Sequence, residues 1–200
     1  MNLTTGPLRG LAALTLTAVT ASTMITTPVA AFAAESGTKS LHLRKGLTLT
    51  IPKSWKVYKV EKDWLRVVTG SCARPGASGF GFREPECDSF WVMGPEAIKK
   101  GDEFFNAYTP DRPFYPSTDV PPCPFDKDLS LIGYTLASKG LRQIGPGRKA
   151  YYRNWSGKCA NHKVKYFNQR EWFLPKSKIL IIDQWNTPGL STILKNATWS

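Results

Sequence analysis

The chain has 200 residues, 27 basic against 15 acidic, and a formal net charge of +12. That length suffices for one domain burying about 70% of its unfolded surface, so four cysteines are not a substitute for a core. Beyond the first 34 residues no apolar run is long enough to span a bilayer and no repeat occurs, which excludes a helical membrane protein and a repeat array.

Residues 1–34 read as a secretory leader. Met1–Gly10 carries one charge, Arg9, and "LAALTLTAVTASTMITTPVA" follows. Ala31 and Ala33 in "AFAAE" supply the A-x-A pattern, with a cut after Ala33 or Ala34. Pro28 and the scattered threonines argue against a retained anchor, and neither a twin arginine nor a cysteine near the cut is present. The expected location is extracellular, with residues 35–200 as one secreted domain and no membrane span.

Secretion decides how the cysteines are read. Cys72, Cys87, Cys123 and Cys159 form an even set in an oxidising setting, and four cysteines allow three pairings. Cys72–Cys87 with Cys123–Cys159 is favoured, because the first pair closes a short loop, "GSCARPGASGFGFREPECDSF", between two apolar segments. Neither a C-x-x-C redox motif nor metal-type Cys/His spacing occurs.

In chain order, "LHLRKGLTLTIP" alternates apolar and polar from Leu41, with Lys45-Gly46 as a turn or bulge. "WKVYKV" (55–60), "WLRVV" (64–68) and "FWVMG" (90–94) follow as strands. Pro95 suits a first helical position, and Ala97, Gly101, Phe104 and Tyr108 recur at helical spacing, which predicts a helix across about 95–107. Residues 109–127, "TPDRPFYPSTDVPPCPFDK", hold six prolines and predict a long, stiff excursion tied down by Cys123.

Strands resume at "LSLIGYTL" (129–136), "RKAYYRNW" (148–155), "KVKYFNQREWFL" (163–174) and "KILIIDQWN" (178–185). The last is the most apolar and is expected to be central. Thr187 as N-cap and Pro188 as first residue open a final helix with a stripe of Leu190, Ile193, Leu194 and Ala197. The predicted class is α+β: a twisted antiparallel sheet with a C-terminal helix, one mid-chain helix and two disulfides.

Charge is uneven along this plan. Residues 84–128 hold 10 acidic and 4 basic side chains, while 129–200 hold 12 basic and 2 acidic. A basic protein with one acidic insert favours anionic partners, such as nucleic acid, wall polymers of the teichoic-acid type or acidic protein faces.

Two stretches carry a resemblance. "GLTLTIPKSW" (Gly46–Trp55) and "ILIIDQW…STILKNATW" (Ile179–Trp199) resemble the PsbP-like fold of the photosystem II extrinsic subunit and its Ran-binding relative. The resemblance implies an antiparallel sheet flanked by helices that binds without catalysing; the four cysteines and the acidic insert depart from that pattern. "CARPGASG…C" and "PPCPFDKD" look like the cysteine loops of secreted subtilisin-inhibitor-like proteins, which implies a protease-facing position near Phe125.

Catalytic patterns are sparse. The two histidines are His42 and His162, and no G-x-S-x-G turn accompanies them. His162 with Glu171 is the one late-chain acid–base pairing that a small hydrolase or ribonuclease would use, His162 with Asp183 the one triad fragment, and Glu84, Glu86 and Asp88 crowd in a loop. No cofactor or metal pattern is present. Binding candidates are better placed: Tyr115 and Phe125 in the excursion, and Arg148, Lys149, Arg153, Lys163 and Lys165 on neighbouring strands among Tyr151, Trp155, Tyr166 and Phe167. Basic and aromatic residues mixed on a sheet suit glycans or single-stranded nucleic acid. The expected role is non-catalytic contact with another extracellular protein or an anionic surface polymer.

Overall fold

The computed structural model describes residues 37–76 and 86–200, all within one compact unit. The expected leader, Glu84 and the "GFGFRE" segment lie outside the described residues.

The described chain opens with β1 (Thr38–His42), a single 3-10 turn (Arg44–Gly46) and β2 (Leu47–Pro52). Lys45 at φ 58° and Gly46 at φ 77° turn the chain here, so the first predicted strand is two antiparallel ones. Next come β3 (Lys56–Glu61), β4 (Trp64–Val68), β5 (Ser89–Met93) and the short helix α1 (Pro95–Ile98). After the excursion follow β6 (Pro122–Cys123), β7 (Asp126–Gln143), β8 (Lys149–Ala160), β9 (Val164–Leu174) and β10 (Ile179–Asp183). The chain ends in α2 (Leu190–Lys195) and β11 (Thr198–Trp199).

Two predicted helices are corrected. The helix expected over 95–107 stops after Ile98, because Asp102 pairs with both Asn106 and Tyr115 and the chain reverses through Glu103 and Phe104, each with positive φ. Helical spacing there had marked Ala97 and Tyr108, which are buried, but also Phe104, which is exposed. At the C-terminus Thr187 does not cap; its hydroxyl donates to Asp183 Oδ1 at 3.0 Å, and left-handed Gly189 precedes the helix instead.

Strands β3-β4-β5-β10-β9-β8-β7-β6 form an eight-stranded antiparallel sheet, and β1-β2-β11 form a small second sheet. The apolar β10 lies in the interior of the large sheet, buried at every position, as its composition predicts. Its alternation feeds two cores. Ile179 and Ile181 join Phe90, Val92 and Trp172 beneath Leu47, Leu49 and Ile51 of β2 and Leu190 and Leu194 of α2. Leu180 and Ile182 join Trp91 and Met93 on the opposite face, covered by α1, Tyr108, Phe114 and Leu129. Both favoured disulfides form, Cys72–Cys87 and Cys123–Cys159, and Cys123–Cys159 lies inside the second core. Two disulfides fit a protein matured in an oxidising compartment. No helix among the described residues is long and apolar enough to cross a membrane.

The two outer strands of the large sheet differ. On β3, exposed Lys56, Lys59 and Glu61 and a register shift before Glu61 guard the edge. At the other side β6 covers only the start of β7, pairing at Asp126 and Ser130.

Candidate binding site

The acid–base candidates are not brought together. His162 is exposed in the β8–β9 turn, whereas Glu171 is wholly buried in β9, nine positions and roughly 30 Å further along a strand. Asp183 is bonded to the Arg170 guanidinium and to Thr187, not to His162. Of the loop carboxylates, Asp88 accepts the Ser71 N–H at 3.3 Å. No group of three His, Cys, Asp or Glu side chains is gathered to hold a metal among the described residues.

Glu171 has a different task. Its Oε1 accepts from Phe114 N–H at 2.7 Å and Gln169 Nε2 at 2.7 Å, and its Oε2 from Tyr108 Oη at 2.8 Å and Trp155 Nε1 at 2.9 Å. Gln169 Nε2 also donates to the Phe114 carbonyl at 3.0 Å, and Gln169 Oε1 accepts from Tyr134 Oη and Gln184 Nε2. Four donors satisfy the buried carboxylate, which is what its burial requires. The network fastens the proline-rich excursion to the sheet.

That fastening divides the basic strip predicted on β8. Arg153 Nε donates to the Pro110 carbonyl at 2.8 Å and Trp155 is buried, so the middle of the strip lies under the excursion. At one end Lys163 and Lys165 both reach Asp126, at 3.0 and 3.3 Å; Lys163 foremost holds that carboxyl down to about 2. Phe125 is half-buried against Phe167, with Lys165 Nζ 5.3 Å from its ring centre. Tyr115 is also half-buried, its hydroxyl donating to the Asp119 carbonyl at 2.5 Å.

At the other end the charges stay open. Arg148 stacks on Trp199 at 4.0 Å, and Arg148, Lys149, Tyr151 and Lys176 line a 420 Å³ cleft with Leu141 and the Pro175 turn. No carboxylate lines it. Tyr151 and Leu141 are cross-strand partners, 45% and 53% exposed.

Beside this cleft runs the bare edge of β7. The Ile144 N–H bonds the Arg148 carbonyl at 2.9 Å and sets the phase of the ladder. Arg142, Gly140 and Ser138 therefore exchange bonds with β8, and Lys139, Leu141 and Gln143 turn their N–H and C=O groups outward. Among the described residues no strand pairs with this stretch; the Leu141 carbonyl receives only Arg142 Nη1, at 3.3 Å.

Sequence alone does not point to Lys139, Leu141 and Gln143, because "SKGLRQ" neither alternates nor carries strand-forming residues, and Lys176 joins them only through the fold. The available signal was "GPG" (145–147), a tight turn that obliges the strands on both sides to reach it. No family model matches the chain, and no curated protein and no solved structure matches it.

Proposed function

We propose that this is a secreted, non-catalytic binding protein that takes up an extended, acidic segment of another extracellular protein as an added strand along β7. The reading rests on one observation: Lys139, Leu141 and Gln143 present outward backbone groups beside a cleft lined by Arg148, Lys149 and Lys176 and by no carboxylate. Main-chain bonds along an exposed edge supply affinity, and the neighbouring side chains supply selectivity. Three cations at the mouth favour an acidic segment and speed its encounter. The PsbP-like resemblance, which implies binding without catalysis, supports the same role.

The test uses an eight-residue peptide of alternating Glu and Val, its Lys/Val counterpart, and polyphosphate. The Glu/Val peptide should bind, the Lys/Val peptide should not, and Lys149→Glu should weaken binding. Leu141→Pro removes an outward N–H and leaves the β8 ladder whole, so it should abolish peptide binding while the circular dichroism spectrum stays native. Should that variant unfold, Lys139→Glu with Lys149→Glu takes its place. Polyphosphate binding that matches the peptide's and survives Leu141→Pro would establish attraction by charge alone and overturn strand addition.

A further inference from the structure

The turn between β9 and β10 has a second cleft on its other side, where the small sheet leans over the end of the large one. This cleft has a volume of 420 Å³, within the range of small-ligand sites. Its floor is apolar: Leu43 and Leu65, both half-buried, with Val92 and Ile179 beneath them. Its rim carries Arg44, Lys59 and Lys62, with the His42 ring beside them.

Asp63 is the one carboxylate in the lining, against three Lys and Arg side chains; its Oδ2 accepts the Glu96 N–H at 3.3 Å, at the first turn of α1. The walls are preformed. Arg44 Nη1 donates to the Ser177 and Lys178 carbonyls at 2.6 and 3.0 Å, fixing the β9–β10 turn against the 3-10 turn. Gly94 N–H donates to the Asp63 carbonyl at 2.7 Å and fixes the opposite wall.

An apolar floor under a rim where Arg44, Lys59 and Lys62 outnumber the one lining carboxylate, Asp63, selects a molecule with the inverse pattern. We infer that this cleft binds a free amphipathic anion, with an apolar chain on Leu43, Leu65 and Val92 and a carboxylate or similar monoanionic head held by Lys59 and Lys62. A small neutral apolar ligand would leave the basic excess of the rim unused, and a small hydrophilic anion would leave the floor wet. The head needs no covalent step, and the site is separate from the β7 edge.

Isothermal titration with dodecanoate, below its micellar range, tests the assignment on the full secreted protein. Saturable binding at one site per chain is expected, with no binding of acetate, which lacks the chain, or of dodecyltrimethylammonium, which has the wrong charge. Lys59→Glu with Lys62→Glu should weaken dodecanoate binding on the order of tenfold or more. Both lysines are exposed, so the variant is expected to keep its melting temperature; Lys59→Gln with Lys62→Gln is the milder substitute. Equal binding of acetate or of the cationic detergent, an unchanged affinity in both variants, or binding only to vesicles of anionic phospholipid would each overturn it.

Discussion

The hydroxyl of Tyr108 donates to Oε2 of Glu171 at 2.8 Å, and this bond joins the start of the proline-rich excursion to the middle of β9. Phe114 N–H reaches the other oxygen of the same carboxylate. Glu171→Ala should cost about 3–5 kcal/mol, since it orphans several buried donors at once. Hydrogen exchange checks the local part: amides of residues 108–115 should lose protection before those of β10.

Burial, ahead of the four donors that oppose it, pushes the Glu171 carboxyl above its usual value of 4.5. The native state then holds this proton to higher pH than the unfolded chain does. Its contribution to stability is full below pH 4.5 and is lost as pH rises through the elevated folded value. Denaturant titrations across that window should show wild-type stability falling relative to Glu171→Gln as pH increases. A difference that is flat, or that rises, would be inconsistent with the raised carboxyl.

Gly101 is fixed by crowding rather than by backbone angle. A Cβ there would stand 2.5 Å from Phe114 Cε2 and 2.9 Å from Tyr108 Cβ. Gly101→Ala should cost about 1–3 kcal/mol in displaced aromatic packing. A melting temperature equal to wild type would show that Phe114 has room to move.

Asp183 ends β10 and organises the chain after it. It pairs with Arg170 across the strand and accepts from the Thr187 N–H at 3.0 Å and the Thr187 hydroxyl at 3.0 Å. Asp183→Leu leaves the Arg170 guanidinium, largely buried, without its carboxylate, and about 3–5 kcal/mol should be lost in a denaturant midpoint measurement.

The two crosslinks close loops of different length, with separations of 15 and 36 residues. In the chain-entropy model they stabilise by about 3 and about 4 kcal/mol. Paired serine variants should rank accordingly in thermal melts, with loss of Cys123–Cys159 the more severe because both sulfurs lie in the second core.

Alternation made the strands legible. Leu47-Thr-Leu-Thr-Ile51 and Ile179–Asp183 declare their periods and their burial in composition alone. The β7–β8 hairpin runs longer than its sequence pattern indicates, because Gly133, Gly140 and two register shifts interrupt that pattern while the partner strand holds it extended. The helix that ended at Ile98 shows the opposite failure: spacing matched, but Asp102 found sheet-like partners in Asn106 and Tyr115 and tertiary pairing won over periodicity. Within the site, Arg148 and Lys149 were visible as basic residues beside aromatics. That Arg153 is covered by Pro110 was not, since it depends on where a loop 43 residues away comes to rest.

The lysine-studded β3 and the bare β7 also set a valence. With β3 guarded, the proposed guest strand has one flank of the large sheet to join, so each chain offers a single berth. A titration with the alternating Glu/Val peptide should therefore saturate at one peptide per β7 edge.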